Sequence, residues 1–198
     1  MLESYCRSQY QRWFVIPIAT RLGPKITPNQ ITCIAGFIGV MALPALFFNF
    51  PVIAGILVLL SGYFDTLDGT LARLKHTVSD MGSILDIIFD RIVEFAIIFG
   101  LFTVDPMHRA WMALLMLGSI LICITSFLVV GIFTPNTSEK GFHYSPGLME
   151  RAEAFIFFLL MIFLPSAFNE LALCFSLLVM FTTVQRLFQF YKQQGFVS

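Results

Sequence analysis

From Ile26 to Phe64 the chain carries no charged side chain. A helical crossing of a bilayer takes about 20 apolar residues, so this single run is long enough for two crossings. Backbone groups in lipid must find their hydrogen bonds inside the segment, which makes the helix the structure available to it. Composition extends the constraint to the whole chain. Of 198 residues, 58% are hydrophobic, 23 are Phe and 12% are charged, whereas a soluble domain carries about 25% charged residues. The 12 Lys and Arg residues are balanced by 12 Asp and Glu residues and form no basic block. That excludes nucleic-acid binding as the main role.

Apolar windows predict an all-α integral membrane bundle of six transmembrane helices, over about 30–49, 51–75, 79–104, 110–133, 148–168 and 169–192. Ahead of them, Arg7, Arg12 and Arg21 alternate with Tyr5, Trp13 and Ile16, and no apolar run ends in a cleavage site. This pattern predicts an interfacial amphipathic helix rather than a signal peptide. The expected organisation is therefore an N-terminal arm over 1–25 and a membrane domain over 26–198. Pro24 and Pro28 end the arm, and Thr27 or Asn29 is available to cap the first crossing helix. The Pro-, Gly- and Ser-rich stretch 134–147 is expected in water. Six crossings put both termini and most basic residues on one side, with Arg109 in an opposite loop. The positive-inside rule makes the first side cytoplasmic, and the expected location is a bacterial inner membrane. Cys6, Cys33, Cys123 and Cys174 have no metal-ligand spacing and are expected as small core residues.

Against this apolar background stand Asp65, Asp68, Asp86 and Asp90, inside the second and third segments. A carboxylate in lipid costs several kcal/mol unless it is paired or metal-bound. Asp65 and Asp68 are spaced i, i+3 and Asp86 and Asp90 i, i+4, so each pair shares one helix face. For a turn near Thr77 and Val78, a rise of about 1.5 Å per residue puts the four at overlapping depths of roughly 12 to 18 Å. Only Arg73 and Arg91 are near in sequence to offset them. Oxygen ligands point to hard divalent cations, two Mg2+ ions with Mn2+ as an equivalent, and such ions couple carboxylates to substrate phosphates. Gly62, Gly69 and Gly82 leave room for a ligand to approach the backbone, and glycine is also common where membrane helices pack.

The stretch Asp65-x2-Asp68-Gly69-x2-Ala72-Arg73-x8-Gly82-x3-Asp86-x3-Asp90 resembles, without a gap, the motif of the CDP-alcohol phosphatidyltransferases. The Thr27-Pro28-Asn29-Gln30-Ile31-Thr32 entry and the six-span plan extend the resemblance loosely over most of the chain. It implies a membrane enzyme, generally a homodimer, that moves a phosphatidyl group from CDP-diacylglycerol or a related CDP-lipid to a small alcohol and releases CMP. By the same resemblance, Asp65, Asp68, Asp86 and Asp90 are metal ligands and Asp90 is also the base. Gly69, Ala72, Arg73 and Gly82 shape the nucleotide pocket.

Members that act on phosphorylated polyols, the phosphatidylinositol phosphate synthases among them, hold the acceptor's phosphate with basic residues on the last two spans. Arg151 and Arg186 resemble these, and Ser126 on the fourth span is a further acceptor-binding candidate. Inositol phosphate and glycerol phosphate are the candidate acceptors, although Phe127 to Val130 lacks the basic residues that often follow that serine. Snorkelling at the cytoplasmic ends of spans would also place both arginines. Two other classes bury acidic residues in membranes: an ion-coupled transporter and a magnesium-dependent polyprenyl transferase. The first usually shows repeated halves, which are not visible here, and CMP release separates the leading reading from both.

Overall fold

The computed structural model describes residues 10–22, 26–134 and 147–193. All regular structure among them is helical, and the chain divides between Val104 and Asp105 into two compact units.

In the first unit a π-helical turn, Gln11–Val15, runs into α1 (Ile16–Leu22). Val15 and Ala19 are its buried residues, and they join Ile31, Leu67 and Leu71 in one apolar cluster. Trp13 and Phe14, by contrast, are largely exposed. α2 (Pro28–Val40) starts at a capping box: Thr27 accepts from the Gln30 backbone N–H, and the Gln30 side chain accepts from the Thr27 N–H. Of the two expected caps, Thr27 is therefore the one used. Met41 interrupts the helix before α3 (Ala42–Phe47). The cause is Pro44, which has no N–H to offer the Val40 carbonyl one turn back.

α4 (Pro51–Leu74) and α5 (Asp80–Val104) complete the unit. α2 packs against both, α3 does the same, and α1 lies on α4. Two turns of one design separate these helices. Asn49 (φ 60°) and His76 (φ 54°) take the left-handed conformation just past α3 and α4. In the second turn the His76 N–H bonds the Arg73 carbonyl and the Thr77 N–H bonds that of Ala72, at 3.1 and 3.0 Å. This double closure satisfies the last carbonyls of α4 and reverses the chain.

In the second unit α6 (Pro106–Phe133) packs on α8 (Phe168–Gln193), and α7 (Arg151–Phe163) lies against α8 after a 3-10 turn at Pro165–Ala167. Asp105 caps α6, and its hydrogen bond with the His108 ring holds its carboxyl below the usual range. Arg109 is buried, donating to the Pro165 carbonyl at 3.1 Å beneath the Phe168 ring.

Four helical segments among the described residues are long and apolar enough to cross a membrane: Pro28–Phe47, Pro51–Leu74, Pro106–Phe133 and Pro165–Lys192. Of the other two expected spans, α5 has the length but carries Asp86, Asp90, Arg91 and Glu94. α7 has 13 residues, short of the roughly 20 that a crossing needs. The expected aqueous stretch 134–147 falls, except at its ends, outside the described residues, as do Tyr5, Cys6 and Arg7. Cys33 and Cys174 correct the core expectation, because both are exposed. In a bundle whose outer face is apolar, a small apolar side chain gains nothing in particular from the interior.

Candidate metal centre

The site forms where α2 holds α4 and α5. A Cβ on Gly36 would run into the Phe89 ring of α5, and one on Gly39 would meet both Val93 of α5 and the Ser61 hydroxyl of α4. Absence of these two side chains is what lets both helices approach one face of α2. Ser61 also donates to the Ala35 carbonyl at 2.9 Å, fixing α4 along that face.

Asp68 lies six residues before the last residue of α4 and Asp86 six residues after the first of α5. Each is therefore about 9 Å from its helix end. One carboxylate oxygen each from Asp65, Asp68 and Asp86 lies within 4.8 Å of the others. Asp68 is the most enclosed of the three, and it accepts a hydrogen bond from the Thr32 hydroxyl of α2. Ligand oxygens on one Mg2+ or Mn2+ stand about 3 to 4 Å apart, so three oxygens with no imidazole or thiolate among them fit a hard divalent cation.

Asp90, one turn further along α5, is outside this group of three. Its carboxylate stands 4.0 Å from the Arg91 guanidinium, which in turn holds buried Glu94 at 2.6 Å. Depth counted from a notional turn at residue 77 set Asp90 level with Asp65. The residues between Leu74 and Asp80 are not helical and do not rise at 1.5 Å each, so Asp86 is the residue that comes level with Asp68.

Around the carboxylates, Arg73 donates to the Thr70 hydroxyl, and its guanidinium passes 3.6 Å from where a Gly69 Cβ would be. Ala72 is half-buried on the same turn. Gly82 faces the Asn29 side-chain oxygen and the Ser79 hydroxyl, each 3.2 Å from a notional Cβ. Thr32 and Asn29 are thus site neighbours that sequence reasoning treated only as part of a helix entry. The signal that marks them is their position in the Thr27 to Thr32 stretch.

In the second unit Arg186 is buried and Ser126 lies beside it. One guanidinium nitrogen donates to the Cys123 carbonyl at 3.0 Å and to the Ser126 hydroxyl at 3.3 Å, with the Phe127 ring 5.1 Å from the guanidinium carbon. Its Nε is buried and meets no acceptor among the described residues. Arg151 begins α7 with its guanidinium over the Phe155 ring.

The family model for CDP-alcohol phosphatidyltransferases matches residues 25–185. The inner membrane protein YnjF of Escherichia coli is 32% identical over 179 residues, covering 85% of this chain and 84% of that protein. An archaetidylinositol phosphate synthase of Pyrococcus horikoshii is 27% identical, with 85% of each covered. Among solved structures, phosphatidylinositol phosphate synthase of Mycobacterium tuberculosis shares the fold at 23% identity. With CDP-DAG bound its TM-score is 0.73, covering 90% of this chain and 94% of that one. In complex with manganese and citrate the TM-score is 0.74, with coverages of 90% and 89%.

Proposed function

The chain belongs to the CDP-alcohol phosphatidyltransferase family, and from that premise we propose how its residues carry out transfer of a phosphatidyl group from a CDP-lipid to an alcohol. The observation that carries the proposal is the meeting of Asp65, Asp68 and Asp86 oxygens within 4.8 Å in an otherwise apolar bundle. Asp65, Asp68 and Asp86 hold divalent cations, Mg2+ in the cell with Mn2+ able to replace it, and Asp90 completes a two-ion set. Held by these residues, such cations would supply charge neutralisation for the diphosphate and for the transferred phosphoryl group.

Asp90 takes the proton of the acceptor hydroxyl. The freed oxygen attacks the lipid-bearing phosphorus, the bond from that phosphorus to the bridging oxygen breaks, and CMP leaves with the electron pair. Arg91, held by Glu94 at 2.6 Å, stands 4.0 Å from the Asp90 carboxylate and is the cation nearest the base in sequence. Arg73 beside Gly69, with Ala72 and Gly82, lines the nucleotide side, where small residues admit the cytidine and its phosphates.

The acceptor is a phosphorylated polyol of the inositol phosphate kind. Two features support this reading: the Pyrococcus and Mycobacterium proteins carry such names, and Arg186 keeps a buried, unengaged Nε that suits a phosphate oxygen. Arg151 and Ser126 belong to the same subsite. The enzyme is a homodimer with six crossings, the fifth made by the short α7 where the bilayer thins to meet it, the arm over 1–25 lies on the cytoplasmic face of a bacterial inner membrane, and the domain over 26–198 opens its site to that side. Exposed Trp13 and Phe14 on the arm suit an interfacial position.

The test is a purified-enzyme assay with labelled CDP-diacylglycerol and a panel of free and phosphorylated alcohols, the lipid product identified by mass. A phosphoinositide product with stoichiometric CMP is expected. Turnover with free alcohols alone would overturn the acceptor assignment.

A further inference from the structure

We propose that Thr32 is a positioning residue for the metal centre, its hydroxyl fixing the orientation in which the Asp68 carboxylate meets the cation; this inference rests on the divalent-metal reading above. Thr32 and Asp68 are 5% and 6% exposed, so water does not compete for their hydrogen bond. The Thr32 hydroxyl has one proton and two acceptors within reach, the Pro28 carbonyl at 3.2 Å and Asp68 Oδ2. A bond to an ionised carboxylate is the stronger of the two. The Pro28 carbonyl still matters, because a helical threonine whose Oγ1 faces that backbone oxygen is held in one rotamer. In this rotamer the same oxygen points at Asp68.

The register between the two side chains is fixed on both sides of Thr32. Upstream, Lys75 at the end of α4 donates to the Ile26 carbonyl at 3.0 Å, and the Thr27–Gln30 capping box sets the first turn of α2. Downstream, Ser61 of α4 donates to the Ala35 carbonyl. With α2 pinned to α4 at residues 26 and 35, Thr32 has little freedom to slide past Asp68. Side chains that orient a ligating carboxylate in this way typically contribute about 10- to 100-fold in metal affinity.

The experiment measures Mn2+ binding to the full-length protein in detergent, from the electron paramagnetic resonance signal of free Mn2+. Thr32→Val keeps the shape and loses the donor, and Thr32→Ser keeps the donor and loses the methyl group. The expected result is a Mn2+ dissociation constant raised about 10-fold or more in the Val variant and near wild type in the Ser variant. The Mn2+ concentration for half-maximal turnover should rise by the same factor, with turnover at saturating Mn2+ retained. Melting in EDTA reports whether each variant is folded, and Thr32→Ala replaces Val if Val is not.

Equal weakening by Ser and Val would assign the residue to packing and overturn the proposal. Wild-type affinity in the variant lacking the hydroxyl would overturn it as well. Wild-type protein that takes up no Mn2+ would overturn the metal reading itself. If the wild type binds, Asp68→Asn weakens binding and the Thr32 variants do not, only the Thr32 inference is lost.

Discussion

At the residue scale the arginines of the second unit give the sharpest prediction. Arg186 is held by the Cys123 carbonyl and Ser126 on one nitrogen, and its buried Nε meets no acceptor among the described residues. Replacing it with Ala removes charge-assisted donors worth about 1.5 to 3 kcal/mol each, or roughly 10- to 100-fold. The loss should appear in the KM of a phosphorylated acceptor and far less in that of the CDP-lipid. Steady-state kinetics with each substrate varied in turn checks this, and an equal rise in both would make Arg186 a packing residue. The pairing of Asp65 with Asp68 and of Asp86 with Asp90 on single helix faces was legible from spacing alone, because it depends only on helical periodicity. Which residue of one helix meets which of the next was not legible, since it depends on the non-helical turn at His76. Thr32 was likewise silent: a threonine in a helix entry reads as a helix residue until its partner 36 positions away is known.

At the element scale the glycines of α2 set how closely the bundle packs. Gly36→Ala drives a methyl group into the Phe89 ring. Overpacking of this kind costs about 1 to 3 kcal/mol, and Phe89 lies between Asp86 and Asp90, so activity should fall together with thermal stability in detergent. Gly118 on α6 is the control: nothing stands within 4 Å of its Cβ position, and Gly118→Ala should leave melting unchanged or raise it by up to about 1 kcal/mol through helix propensity. If both variants behave alike, close approach at Gly36 does not organise the unit. The first two spans were legible because the run from Ile26 to Phe64 has no charge to interrupt it. The fifth was less so, since Pro165 and the 3-10 turn break an apolar window that hydropathy alone reads as continuous. The cap at Thr27 was legible as one of two candidates, with the choice made by the Gln30 side chain.

At the scale of the whole molecule, α5 has to cross the membrane despite its charges, of which Arg91 stands beside Asp90 and holds buried Glu94. Single cysteines at His76 and Met107, before and after α5, should therefore react with a membrane-impermeant thiol reagent from opposite sides of intact vesicles. Labelling of both from one side would leave α5 uncrossed and the carboxylates without a membrane setting. All-helical, multi-pass architecture and family were legible from composition and one motif, whereas hydropathy showed the break after Val104 only as one more end of a span and not as the division between two units. The central claim is that the acidic centre performs the transfer, and direct measurement of CMP release tests it: purified protein, CDP-diacylglycerol, a phosphorylated polyol, and Mg2+ or Mn2+ present or chelated. Wild-type protein should release CMP only with the cation present, and Asp90→Asn, folded as judged by melting, should release none under either condition. CMP release at the wild-type rate from Asp90→Asn, or from wild-type protein in excess chelator, would contradict the account.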